Sequence, residues 1–213
     1  KMTVDYLTSM PKVTDGKGKV KFDGNHIDIE IMHAKSGDLL IRNGHITFTG
    51  LSKVDQHADV QLEIDGSLGS IIKIADSKPI SLMKSIGFAP SLVKGNFTSK
   101  TRLNFLLERN LTLDKIKVST EVFLKKVDVP KISLDLDLTS GNFILNADNE
   151  SMTIKGTGQL SGIETKIEWH ENFVHMGQYR RKYRLKSTVD DRSWRGKLKL
   201  NFPPFNKSYM NGV

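Results

Sequence analysis

The feature that most constrains this chain is a hydrophobic period of two that recurs along most of its length. His26-Ile27-Asp28-Ile29-Glu30-Ile31 alternates cleanly, and so does Asp59-Val60-Gln61-Leu62-Glu63-Ile64-Asp65. Lys115–Val122, Ser133–Leu138 and Gly196–Asn201 repeat the pattern. Alternate side chains of a strand point to opposite faces, so each segment has one apolar and one polar face. On a helix the same Ile and Leu residues would be spread around the whole circumference.

Asp23-Gly24-Asn25, Ser36-Gly37-Asp38, Arg42-Asn43-Gly44, Asp65-Gly66, Ser140-Gly141-Asn142 and Asp148-Asn149 punctuate these runs as turns. Asn-Gly and Asp-Gly supply the positive φ that tight hairpins need. Leu39–Ile41 and Ile46–Phe48 around Asn43-Gly44 therefore read as a hairpin, and the whole as an antiparallel meander. Thr14–Gly18 and Glu171–Gly177 are the linker candidates. One segment departs from the period. Lys78–Gly87 has apolar residues at 80, 82, 83 and 86, Pro79 at its start and Gly87 at its end, predicting a short helix near 79–86.

The expected fold is thus mainly all-β, a single domain over 1–213 built on a long twisted antiparallel sheet with one short helix. Periodicity alone leaves a closed barrel, a sandwich and an open curled sheet as alternatives. The start at Lys1-Met2 is expected of a piece of a longer chain. Cys is absent, which excludes disulfides, thiolate metal sites and a Cys nucleophile.

The net charge of +8 is concentrated at the C-terminus, where 170–213 reads as basic strands of the same domain: ten basic residues from Arg180 to Lys207 stand against Glu171, Asp190 and Asp191. The rest is nearly neutral, which argues against a nucleic-acid binder with charge spread over its binding face. Arg180, Arg181, Lys182 and Arg184 form the densest cluster and are candidates to hold anionic headgroups. The plain alternative is a solvated edge strand whose cations discourage pairing.

Reactive constellations are lacking. His170 and His175 are five apart, whereas the zinc-protease motif needs i and i+4. His26, His33, His45 and His57 fall at strand ends or polar positions, with His26 and His45 as a conceivable pair near in space. Asp135 and Asp137 read as the wet face of a strand. Gly156-Thr157-Gly158 followed by Gly162 has the wrong spacing for a dinucleotide loop. A non-enzyme without metal or cofactor is expected.

The order of Phe22–Ile29, Ser36-Gly37, Ile46–Leu51, Ala58–Gly66, Ser67-Leu68-Gly69, the Lys78–Gly87 segment with its Pro79-Ile80 pair, and Val93-Lys94-Gly95 resembles the AsmA-like superfamily. The resemblance is to YhdP-type C-terminal regions of proteobacterial envelope proteins. Leu111–Lys126 and Gly156–Leu160 fit the same style, so that it spans roughly Gly16 to Trp169, while the basic tail from Tyr179 lies outside it. It rests on spacing rather than on reactive residues.

The resemblance implies a periplasmic module of a parent protein anchored in the inner membrane. It further implies a sheet curled into a groove or half-barrel, through which phospholipid moves. Phospholipid acyl chains, bacterial membranes reached through other parts of the parent, and envelope proteins are the implied partners. Ile27, Ile29, Ile31, Val60, Leu62, Ile64, Leu103, Phe105, Leu107, Ile116, Val118, Val122, Leu134, Leu136 and Leu138 would then line the groove. The competing expectation is a β-domain that scaffolds an envelope assembly without ligand, the same residues packing as an ordinary core.

Overall fold

Alternation with interspersed turns produces one antiparallel meander. The computed structural model describes residues 2–4, 12–76, 92–133, 136–174 and 179–187. Its strands are β1 (Met2–Val4), β2 (Val13–Phe22), β3 (His26–Ser36), β4 (Leu39–Thr49), β5 (His57–Ser67), β6 (Lys94–Leu106), β7 (Lys117–Ser133), β8 (Leu136–Asp148), β9 (Ser151–Leu160), β10 (Ile163–Asn172) and β11 (Arg181–Ser187). They form an 11-stranded sheet in strict sequence order. Among the described residues β1 and β11 are its two ends and do not pair with each other, so the sheet that these strands form is open.

The helix of the described residues, α1 (Leu68–Asp76), follows β5 directly. Ser67 caps it, its Oγ accepting the Ser70 N–H at 3.2 Å. The helix expected near 79–86 lies outside the described residues.

Packing is concentrated at one end of the sheet. Leu39, Leu68, Val93, Phe97, Val127, Val129, Leu138 and Phe143 form the buried cluster, with Ile71 and Ile72 of α1 against it. Along β7 and β8 the ladder is interrupted between Leu124 and Ser133, and Lys126, Lys131 and Ser140 take positive φ. Such bulges bend and twist a strand, and here they lie at the end where the core is packed. Side chains replace the lost ladder bonds. Lys126 N–H donates to Asn142 Oδ1 at 3.3 Å, Lys131 N–H to Asp137 Oδ1 at 2.8 Å, and Ser140 N–H to Asp128 Oδ1 at 2.8 Å.

Three of the six expected turns connect strands: 23–25, 36–38 and 148–149. The other three do not. Asn43-Gly44 lies inside β4, so the expected hairpin is one continuous strand with a register shift between Ile41 and Asn43. Gly44 is there for space: a Cβ on it would lie 2.8 Å from Leu62 Cδ2 and 3.2 Å from Ile31 Cδ1. Gly66 lies inside β5 for the same reason: a Cβ on it would lie 2.5 Å from Leu39 Cδ2. Ser140–Asn142 is the β8 bulge. The linker candidate Thr14–Gly18 is likewise part of β2, and Glu171 and Asn172 end β10. The alternating run 133–138, expected as one strand, instead spans the β7–β8 connection.

Candidate functional site: the apolar face

Register places the apolar residues of successive strands side by side. One row crosses the sheet as Gly18, Ile31, Gly44, Leu62, Thr101, Thr120, Ala147, Met152, Glu171 and Arg181. Toward the open end lie Val20, Ile29, Ile46, Val60, Leu103 and Val118, and beyond them Phe22, Ile27, Phe48, Ala58 and Phe105. Most of these side chains are half-buried beside their cross-strand neighbours. Among the described residues, α1 is the element that packs onto this face, and it does so at the far end.

Of the expected lining residues, Ile27, Ile29, Ile31, Val60, Leu62, Ile64, Leu103, Phe105, Val118 and Val122 share this face by register. Leu107 and Ile116 lie just outside the strand ends, in the β6–β7 connection. Leu138 belongs to the packed cluster and is buried, so it is not available to line a trough, and Ile64 and Val122 pack against that cluster. Leu136 is half-buried opposite Ser133 at the strand connection, and Leu134 lies outside the described residues.

The basic cluster is divided between the two faces. Arg181 and Tyr183 fall on the apolar side, opposite Glu171 and Trp169, whereas Lys182 and Arg184 fall on the polar side, opposite His170 and Glu168. Arg184 Nη1 donates to Glu168 Oε2 at 3.0 Å, and Lys182 Nζ sits 5.1 Å from the centre of the Tyr179 ring. Arg180 lies just before β11, its carbonyl accepting the Asn172 N–H at 2.8 Å.

Glu171 is the residue that sequence reasoning missed. It is buried in the apolar face, and Arg181 reaches it with Nε at 2.5 Å and Nη2 at 2.7 Å. Trp169 Nε1 also donates to Glu171 Oε2 at 3.2 Å, and the Trp169 and Tyr183 rings lie 5.5 Å apart. The Glu171 hydrogen bond holds the Arg181 guanidinium above its usual range, and burial raises the Tyr183 phenol. The odd parity of Glu171 with Trp169 and Ile167 is the one signal that could have placed it inside.

The opposite face is polar and carries a concavity of about 600 Å³ between two rows of side chains, one from Asn43 through Glu63, Lys100 and Glu121 to Asn146, the other from His45 through Gln61, Arg102 and Ser119 to Asp148. At its border Arg102 forks onto Asp59, with Nε and Nη2 both on Oδ2 at 3.0 and 2.6 Å, and this bond lowers the Asp59 carboxyl.

On the same face His26 and His45 do come together, around Asp28: their Nε2 atoms lie 3.5 Å from Oδ2 and 3.3 Å from Oδ1. Among the described residues no cluster of His, Asp or Glu is arranged to hold a metal. His170 is occupied by Thr153 and Asn172, and His175 lies outside the described residues.

No helix of the described residues is long and apolar enough to cross a membrane. Comparisons with protein-family models, with curated proteins and with solved structures find no match for this chain.

Proposed function

We propose that this chain is a lipid-binding or lipid-conducting β-module of a bacterial envelope protein, acting without catalysis in phospholipid transport or outer-membrane homeostasis. The observation that carries the reading is the apolar face. One row, Val20, Ile29, Ile46, Val60, Leu103 and Val118, runs unbroken from β2 to β7 beside rows interrupted only by Gly, Ala and Thr, and among the described residues no second layer packs on them away from α1. A contiguous apolar surface beyond a few hundred Å² marks a binding site, and acyl chains need a dry trough of this kind.

Burial of acyl methylenes would supply the affinity, at roughly 0.8 kcal/mol for each CH₂ removed from water. Few polar groups converge on the face, so headgroup discrimination would be weak. What supports a periplasmic setting and an anchored parent is the resemblance carried by the Phe22–Gly95 spacing. The chain's own residues support only the lipid part of the reading.

Native mass spectrometry with organic extraction of the purified chain tests it. Phospholipid released in stoichiometric amount, and lost in Leu62→Asp and Phe105→Asp variants that keep their β-sheet circular dichroism, is the expected result. A lipid-free protein that also fails to take up added phospholipid would overturn the proposal and leave a scaffolding β-domain.

A further inference from the structure

The five strand connections at the end of the sheet opposite α1 are joined to one another. Leu51 N–H donates to Asn25 O at 3.2 Å, and Ser52 Oγ to Asn25 Oδ1 at 2.8 Å, tying the β4–β5 loop to the β2–β3 turn. Leu107 N–H donates to Gln56 O at 2.8 Å, carrying the chain of contacts to the β6–β7 loop. Asn149 then donates to Ile116 O at 2.7 Å and accepts the Val118 N–H at 2.6 Å. Phe173 N–H donates to Glu150 O at 2.7 Å, which brings in the β10–β11 connection. Nine strand spacings of about 4.8 Å make this rim on the order of 40 Å long.

Large apolar side chains project from this rim. Phe22 is 68% exposed and Val54 98%, and Leu107, Leu113, Phe173 and Val174 are also exposed. Loops fixed by hydrogen bonds have no conformational reason to present such residues to water, and each exposure forgoes burial. Charges stand beside the same tips in nearly balanced pairs: Lys53 with Asp55, Glu108 with Arg109, Asp114 with Lys115. Lys115 is also ion-paired to Glu108.

The balance of charge beside the tips decides what the rim fits. A stable protein interface needs a contiguous patch of roughly 800 Å² per partner with a charge-depleted centre, whereas here Val54, Leu107 and Leu113 each stand beside ions of both signs on their own loops. A bilayer surface accommodates that arrangement. Apolar tips enter the acyl boundary while neighbouring charges stay among the headgroups. Among the described residues of the five connections, Lys53, Arg109, Lys115 and Arg180 stand against Asp23, Asp55, Glu108, Asp114 and Glu150, so no excess of cations demands anionic lipid.

The rim is also continuous with the apolar face, because Phe22, Phe48 and Phe105 lie at this end and the packed cluster at the other. We infer that the rim is a membrane-docking edge that seats the open end of the sheet on a zwitterionic phospholipid bilayer through Val54, Leu113 and Phe173. This goes beyond the lipid-trough reading, since a rim can bind a bilayer whether or not the trough carries lipid.

Flotation of the 213-residue chain with phosphatidylcholine vesicles, at low and high salt, tests the inference. The chain is expected to float equally well at both salt concentrations. A Val54→Asp/Leu113→Asp variant should bind at least about tenfold more weakly, and Val54→Trp severalfold more tightly. Both positions are exposed loop sites, so circular dichroism should be unchanged. The lipid that the variants retain, read by mass spectrometry, should match the parent chain, which separates failure of the rim from failure of the trough. Three results would overturn the inference: no flotation of the parent chain, flotation only with phosphatidylglycerol and lost at high salt, or self-association through the rim with vesicles left unbound.

Discussion

Glu171 on β10 and Arg181 on β11 stand directly opposite each other and close a two-pronged ion pair on a face whose other cross-strand rows are apolar or uncharged. The Glu171 side chain is 7% exposed and that of Arg181 36%. A buried carboxylate stripped of its partner is costly, but the partial exposure of Arg181 reduces that cost. Arg181→Met should therefore destabilise the chain by about 1–2 kcal/mol. The double variant with Glu171→Gln should recover part of the loss. Urea midpoints of the four-member cycle measure the coupling, and additive effects would show that the pair contributes nothing.

The division of the basic cluster makes a second test. Lys182 and Arg184 lie on the face away from the apolar rows. Lys182→Ala/Arg184→Ala should leave any bound phospholipid unchanged in amount, since neither side chain reaches the trough. Extraction and mass spectrometry of this variant beside the parent chain would read it directly.

Gly44 and its neighbour Asn43 should respond in opposite ways. A side chain at Gly44 must displace Leu62 and Ile31, so Gly44→Val should cost about 1–3 kcal/mol. Asn43→Ala should change stability by less than about 0.5 kcal/mol, because Asn43 is an exposed position inside a strand rather than the residue that sets a turn. Thermal melts of both variants check the contrast.

At the β7–β8 bulge, Asp128 Oδ1 accepts the Ser140 N–H that the interrupted ladder leaves without a backbone partner. Asp128→Ala should cost about 1 kcal/mol. Amide exchange should quicken first at Ser140, and an unchanged rate there would mean that solvent already serves this group.

Asp59 supplies a pH dependence. Its folded pKa is lowered, chiefly by the Arg102 hydrogen bond and against a desolvation cost. The contribution is therefore complete above the unfolded carboxyl value of about 3.9 and is lost as pH falls through the lower folded value. The difference in urea midpoint between the parent chain and Asp59→Asn should be constant at neutral pH and shrink below about pH 4. A difference that holds to pH 2 would exclude this linkage.

Much of the architecture is local and was legible. Which residues of His26–Ile31, Asp59–Asp65 and Lys117–Val122 share a face follows from strand geometry, because parity is a property of the backbone. The meander follows from short connections, and the open antiparallel sheet is what these segments build. Parity also placed ten of the fifteen expected lining residues together. It failed where a contact distant in sequence decides the outcome. Gly44 and Gly66 looked like turn residues because a lone glycine carries no sign of whether it serves a φ angle or a neighbour's methyl group, and only the arrival of Leu62 or Leu39 settles that. The run 133–138 alternates as a strand does, yet the chain reverses within it, because bulges in β7 and β8 are stabilised by Asp128, Asp137 and Asn142 from across the ladder. Glu171 reads as a surface carboxylate until Arg181 is set opposite it. The sequence by itself determined the two faces and the order of the strands, since both depend on neighbours along the chain. The position of the core under α1, the buried ion pair and the laced apolar rim were decided by tertiary structure, because each requires groups that meet only once the register is set.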